Sequence, residues 1–385
     1  MVRPTMPSSV VDSPFPLSGG DVVSQFILRS EKGARRLCPL YFFMLLLALE
    51  SSCDETAAAV VQDGRVVLSS VIASQISIHA EYGGVVPEIA SRKHLESVSL
   101  VIEQALLEAD VRLCDLEGVA VTQGPGLAGA LLVGISVAKG LSFGRGIPLV
   151  GVNHIEGHLL AVFLEAPVEF PFLALAVSGG HSHLYRVDGV GRYTTLGQTV
   201  DDAAGEAFDK VAKLIGLPYP GGVAIDRLAV TGDPQAIKFP RPLLHDGSYN
   251  FSFSGLKTAV LTHVNKFPES KTTGVHDLAA SFQAAVCDVL TKKTAAAVAA
   301  TGIKRVVVAG GVACNSALRL SMERFAAEKG VELRMPSPAL CSDNAAMIAV
   351  PGDFYLTAGF KSGFDLDALP VWPLDRLAVR LQEAY

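Results

Sequence analysis

From Leu45 the chain reads LLLALE, then a short polar stretch, SSCDE. TAAAVVQ, the pair Asp63-Gly64 and RVVLSSVIAS follow. A continuous apolar run bounded by small polar residues predicts a strand buried on both faces. An Asp-Gly pair between two apolar runs predicts a hairpin turn. The same order returns from Phe172: FLALAV, the turn Ser178-Gly179-Gly180, HSHLYRV, a second predicted turn at Asp188-Gly189, and VGRYTTLGQT. Each set is followed by a further apolar strand, a Gly-rich loop and a helix. These are GVAVTQGPGLAGALLVGISVAKGL in the first half and KRVVVAGGVACNSALRLSMERF in the second.

The pattern predicts an internal duplication. Two similar α/β lobes pack side by side and turn their β-turns toward a shared cleft. Turns rich in Gly and Ser expose backbone N–H groups, which bind phosphate oxygens. The expected fold class is α/β, a duplicated two-lobed nucleotide-binding fold of the actin/hexokinase/Hsp70 kind. Residues 44–152 plus 341–385 would form the first lobe, and 153–340 the second, with a helical insertion.

Residues 1–43 break the pattern: they are rich in Ser, Pro and Val and have no sustained period. Their end merges into a mostly apolar run, Leu37–Leu49, that imitates a signal peptide behind Arg35 and Arg36. That run is about thirteen residues, short of the roughly 20 a membrane helix needs, and it ends on Glu50 where small uncharged residues are required. Met44 stands directly before the predicted strand. Residues 1–43 are expected to be a disordered extension or a mis-assigned start, and no membrane association is expected.

Composition narrows the picture. Half of the 385 residues are hydrophobic and 18% are charged, which excludes a disordered or coiled-coil chain. The formal net charge is −6, against a simple nucleic-acid coat protein, which neutralises phosphates with excess Lys and Arg. The six cysteines, Cys38, Cys53, Cys114, Cys287, Cys314 and Cys341, form no CxxC pair. A reduced, cytoplasmic chain with free thiols is expected.

Candidate chemistry begins at Asn153-His154-Ile155-Glu156-Gly157-His158. Two His four apart share one face of a helix and can chelate one metal. A zinc protease would place its general base directly after the first His. Here Glu156 is two residues on, about 200° around the helix, so it points away. Asp343, in SDNAAMIA, is the best third ligand, expected at a helix N-cap. Two imidazoles and a carboxylate suit Fe(II) or Zn(II) better than Mg(II). Gly124-Pro125-Gly126-Leu127-Ala128-Gly129 matches GxGxxG, yet the position of the acidic residue that a dinucleotide site wants holds Gly151, Val152 and Asn153. These glycines are expected to serve tight packing. His181 and His183 are expected to be a satisfied structural pair. Ser178-Gly179-Gly180 is either a phosphate cradle or an ordinary hairpin turn. Asp209, Asp226 and the Tyr219-Pro220-Gly221-Gly222 turn offer carboxylates and close backbone approach, and Asn315 offers amide groups. Phe251-Ser252-Phe253-Ser254-Gly255-Leu256-Lys257 reads as a packing motif, with a tRNA-holding surface as its alternative.

Ten segments then stand in a specific order: ESSCDETAAAV, HAEYGGVVPEIASRKHLE, TQGPGLAGALLVG, NHIEGHLLA, VSGGHSHL, DDAAGEAFDK, YPGG, FSFSGLKT, AGGVACN and SDNAAMIA. From Met44 to about Pro373 the chain closely resembles the bacterial tRNA N(6)-adenosine threonylcarbamoyltransferase (TsaD) family. The resemblance implies transfer of a threonylcarbamoyl group from threonylcarbamoyl-AMP to the exocyclic amine of adenosine 37, in tRNAs reading codons that begin with A, with release of AMP. It implies one Fe(2+)-type metal per subunit, with Zn as the alternative, held by His154, His158 and Asp343. It implies that Ala176, Val177, Ser178, Gly179, Gly180, Asp209, Gly222, Asp226 and Asn315 bind the adenylate. It implies tRNA as a partner, together with a shorter actin-like paralogue (TsaB type) and a P-loop ATPase (TsaE type). No residue is assigned as a catalytic nucleophile, and the roles of Glu50, Cys53 and Asp54 stay open. Competing readings are a metalloprotease, resting on the His pair alone, and a sugar-kinase-like or chaperone-like ATPase, resting on the fold alone.

Overall fold

The computed structural model describes residues 44–377. The expectation for residues 1–43 therefore lies outside the described residues. The first half contains β1 (Leu45–Glu50), β2 (Glu55–Gln62), β3 (Val66–Ser74), α1 (Ile76–Ala80), α2 (Pro87–Glu108), β4 (Gly118–Gly124), α3 (Ala128–Arg145), β5 (Leu149–Asn153) and α4 (His154–Leu160). The second contains β6 (Phe172–Val177), β7 (Ser182–Gly189), β8 (Arg192–Gln198), α5 (Ala204–Leu214), α6 (Gly221–Ala229), α7 (Ser254–Lys266), α8 (Val275–Thr301), β9 (Arg305–Ala309), α9 (Ser316–Lys329), β10 (Glu332–Arg334), α10 (Pro338–Cys341) and α11 (Ala346–Thr357).

The two sheets repeat one topology. The first has the order β3-β2-β1-β4-β5 and the second β10-β9-β6-β7-β8. In each, the first three strands form an antiparallel meander. The opening strand, β1 or β6, pairs on its other side in parallel with β4 or β9. The duplication predicted from the sequence is thus present strand for strand.

Strand β1 shows why its sequence is apolar at every position. Leu47 and Leu49 face α2 and α3, packing with Val98, Ile102, Leu131 and Ile135. Leu46 and Ala48, on the opposite face, pack against Met347, Ile348 and Tyr355 of α11. Strand β6 behaves alike. Leu173, Leu175 and Val177 join the core of α5, α8 and α9, while Phe172, Ala174 and Ala176 pack on Ile155 and Leu159 of α4. A strand covered on both faces cannot alternate with polar residues. Burying one Leu or Val in this way contributes roughly 1.5–3 kcal/mol.

One local expectation shifts, and the packing reading of Phe251–Lys257 holds. The second hairpin turns at Val190-Gly191, because Gly189 still pairs with Arg192 across β7 and β8 and Gly191 takes the positive φ, 72°. The Phe251–Lys257 segment offers no aromatic surface: the Phe251 and Phe253 rings are fully buried and stacked, and Asp201 accepts from the backbone N–H groups of Phe253 and Ser254. No helix among the described residues is long and apolar enough to cross a membrane.

Candidate metal centre and cleft

Helix α4 begins at the end of the parallel strand β5, and all seven of its residues are buried. Asn153 starts it: its Oδ1 accepts from the N–H groups of Ile155 and Glu156, and its Nδ2 donates to the Trp372 carbonyl. This cap holds His154 at the first helical position. His158 follows one turn later, its ring edge-on to His154 with centroids 4.7 Å apart.

Asp343 completes the group. Its Oδ1 lies 3.0 Å from Nε2 of His158 and 3.7 Å from Nε2 of His154. One donor atom from each of the three residues lies within 4.8 Å of the others. Asp343 does not cap a helix as expected. Helix α11 starts at Ala346, and the Asn344 side chain accepts from the Met347 N–H instead. That division of labour leaves the Asp343 carboxylate free to face the imidazoles.

Glu50, at the end of β1, fixes the orientation of His154. Its Oε2 lies 2.9 Å from His154 Nδ1 and accepts from the Thr122 hydroxyl at 2.6 Å, while its Oε1 accepts from the Ser52 N–H at 2.5 Å. A carboxylate on Nδ1 selects the tautomer whose Nε2 lone pair points outward, as a metal-binding imidazole requires. Burial pulls the His154 pKa down, but Glu50 and Asp343 outweigh it and hold it up at about 9. Burial pushes Asp343 up, yet His154 and His158 hold its carboxyl below the ordinary range. Two buried imidazoles converging on one carboxylate form a donor set that fits a divalent transition metal.

The cluster opens onto a cavity of about 780 Å³. Of the residues expected to bind an adenylate, Ser178, Gly179, Gly180 and Asp209 line it. Ala176 and Val177 lie in β6 with side chains buried on its opposite faces, so only their backbones are near the turn. Gly222, Asp226 and Asn315 are not among the residues that line it. Asp226 accepts from the N–H and hydroxyl of Ser316. Asn315 caps α9 through Leu318 N–H and donates to Gln283 Oε1. Asp209 accepts from the N–H groups of Gly221 and Gly222 at the start of α6. The opposite wall is the turn Ser52–Glu55. Burial, then the neighbouring Asp54, pushes the Glu55 carboxyl up. The same two causes push the Cys53 thiol far up, which disfavours the thiolate.

Three further histidines stand near the cleft. His181 lines the cavity from the turn itself. Burial first, then His154 and His183, lowers its pKa to about 3. His183 instead stacks on Tyr185 and leaves its Nδ1 without a hydrogen bond, so the two do not form a satisfied pair. His94 is fully buried on α2. Its Nε2 lies 3.0 Å from the Cys53 carbonyl and its Nδ1 2.7 Å from the Thr56 hydroxyl, so it anchors the Ser52–Glu55 turn from behind. A polar residue four after Ala90 and four before Val98, on an apolar helical stripe, was the available signal. For Glu50 the signal was a lone carboxylate closing an apolar strand.

Glu156 is sealed away from the cluster. Its carboxylate accepts from the hydroxyls of Tyr193 and Tyr355 and from the Gly191 N–H. Glu156 therefore cannot act as the general base of a zinc protease at this His pair, and that reading loses the base its motif would supply.

A family profile described as tRNA N6-adenosine threonylcarbamoyltransferase matches residues 66–350. A protein of that name from Geobacter sp. (strain M21) is 84% identical over 340 residues, covering 88% of this chain and 99% of the relative. Another, from Geotalea uraniireducens (strain Rf4), is 72% identical over 339 residues, again 88% and 99%. Among solved structures, full-length HypF in a phosphate- and nucleotide-bound form superposes with a TM-score of 0.56 at 15% identity, over 81% of this chain and 46% of that one. T. kodakarensis HypF superposes with a TM-score of 0.58 at 13% identity, over 83% and 48%. These two likenesses show the fold alone, the actin/hexokinase-like duplication.

Proposed function

The chain belongs to the tRNA N6-adenosine threonylcarbamoyltransferase family, and on that premise we propose that it transfers the threonylcarbamoyl group of threonylcarbamoyl-AMP to the exocyclic amine of adenosine 37, in tRNAs reading codons that begin with A. The observation that carries the reading is the convergence of His154, His158 and Asp343 at the edge of a cavity walled by the Ser178–Gly180 turn.

The adenine amine is a weak nucleophile because its lone pair is delocalised into the ring, so the driving force resides in the carbamoyl–phosphate anhydride. The amine nitrogen bonds to the carbamoyl carbon, the carbon–oxygen bond to phosphate breaks, AMP leaves, and the amine gives up one proton. The protein's task is positioning and charge stabilisation. His154, His158 and Asp343 would hold one Fe(2+), with Zn(2+) as the alternative. When bound, the ion supplies Lewis-acid stabilisation of phosphoryl or carbonyl oxygen. Glu50 holds His154 in the ligating tautomer. The Ser178 N–H closes the turn onto the His181 carbonyl, so the backbone N–H groups of Gly179 and Gly180 would face the phosphate, and the adenylate would extend toward Ala176, Val177, Asp209, Gly222, Asp226 and Asn315. No side chain is assigned as a covalent nucleophile. tRNA, a shorter actin-like paralogue (TsaB type) and a P-loop ATPase (TsaE type) complete the proposed cytoplasmic system.

The test is mass spectrometry of tRNA nucleosides after incubation with the protein, those partners and the activated threonine. Threonylcarbamoyladenosine is expected with the wild-type chain. It should fall by at least 100-fold, together with bound metal, in H154A and D343A. Full modification by the double variant would overturn the metal assignment.

A further inference from the structure

We infer that Lys213 is a specificity-determining residue, which recognises the free carboxylate of the amino-acid part of the donor; this rests on the threonylcarbamoyl-AMP reading above. Lys213 and Asp209 stand four apart on α5, on one helical face, and both line the cavity. They do not pair. Asp209 is engaged with the N–H groups that open α6. Lys210, the cavity's other lysine, is held by Asp202 and Glu206 at 2.7 Å each. Lys213 forms no ion pair among the described residues. Its side chain crosses the cleft to the first lobe, where Nζ would lie 3.0 Å from a Cβ placed on Gly83. Gly83 has φ +71°, so glycine is the residue that lets the ammonium approach the loop backbone.

The charge inventory of the cavity gives this uncommitted cation a purpose. Asp54, Glu55, Glu206, Asp209 and Asp343 all line it. A donor with two anionic groups, a phosphate and an amino-acid carboxylate, meets repulsion there unless each group finds a cation or N–H donors. The phosphate has the metal centre and the Ser178–Gly180 turn. The carboxylate needs a second positive group on the far side of the anhydride, and Lys213 is the available one. Ile76 and Val85 line the same side of the cavity from the first lobe. They offer apolar contact for an aliphatic side chain beside a charged head. An ammonium–carboxylate hydrogen bond is among the stronger polar contacts. At a partly hydrated site it should be worth about tenfold in affinity.

The experiment uses two stable probes with the full chain. One is the sulfamoyl analogue of threonylcarbamoyl adenylate. The other is its counterpart lacking the carboxylate, built from 1-amino-2-propanol. Calorimetry measures both against the wild-type chain, K213Q and K213R. The wild type should bind the carboxylated probe about tenfold more tightly. K213Q should bind both probes equally, with the affinity of the wild type for the decarboxylated one unchanged. K213R should keep most of the preference. A tenfold preference surviving in K213Q would overturn the role of Lys213 and leave the donor reading standing. A wild-type chain that binds neither probe would overturn the donor reading, and this inference with it.

Discussion

Glu50 carries the most consequence per atom in the site. It is fully buried, its pKa lies below the ordinary carboxylate value despite the cost of burial, and its compensation comes from His154 and Ser52. Replacing it with Gln keeps the shape and removes the charge that orients His154. In E50Q, metal affinity should fall by about 10–100-fold with an unchanged circular-dichroism spectrum. Unchanged metal content after dialysis against a graded chelator would refute this. Away from the site, Asp353 is a carboxyl out of place. Burial, then the neighbouring Asp63, pushes its pKa up to about 6, and its Oδ1 has no hydrogen bond. A folded-state pKa above the unfolded one means the native chain binds more protons between the two values, so stability falls as pH rises through about 6. D353N should therefore be more stable than the wild type at pH 8. The gain should shrink as pH falls through 6 and vanish below about 4. Urea unfolding at these three pH values checks the sign.

At the scale of elements, the cavity turn depends on how closely α5 approaches it. A Cβ on Gly205 would sit 2.6 Å from the Ser178 carbonyl oxygen and 2.8 Å from Gly179 Cα. Both are backbone atoms, which cannot swing aside. G205A should cost about 1–3 kcal/mol of stability and weaken binding of the stable donor analogue by displacing the turn. Retention of both properties would show that the turn tolerates movement. The elements themselves were largely legible. Leu45–Leu49 and Phe172–Val177 read as buried strands because burial on two faces demands unbroken apolar runs. The His154–His158 face was legible from helical spacing. The hairpin end at Val190-Gly191 is not legible in the sequence, since Asp188-Gly189 and Val190-Gly191 both carry a glycine and only pairing register separates them. The cap at Asn344 rather than Asp343 is equally hidden, because the two neighbours share the same capping chemistry.

For the whole molecule, charge sets the relation to tRNA. Residues 1–43 carry five basic and three acidic residues, so the remainder of the chain carries −8. A body of that sign repels a polyanion on close approach, within about a Debye length, roughly 8 Å at physiological salt. The isolated chain should therefore retain tRNA weakly on a filter in 0.15 M salt, with retention recovered on adding the proposed partner proteins. Tight, partner-independent retention would contradict this and point to a concentrated basic surface.

Local chemistry wrote much of this protein into its sequence. The buried strands follow from unbroken apolar runs, the turns from their Gly-containing pairs, and the shared face of the two histidines from the 3.6-residue helical period, all of them set by neighbours in the chain. What only the tertiary structure decided are the meetings across long separations. Glu50 reaches His154 from 104 residues away, and Asp343 reaches His158 from 185. Asp226 meets Ser316 from 90 residues away, and Asn315 meets Gln283 from 32. Lys213, unremarkable in sequence, crosses to the other lobe. A side chain's type states what it can bind, but its partner is chosen by how two packed lobes bring distant segments together, and no local period encodes that.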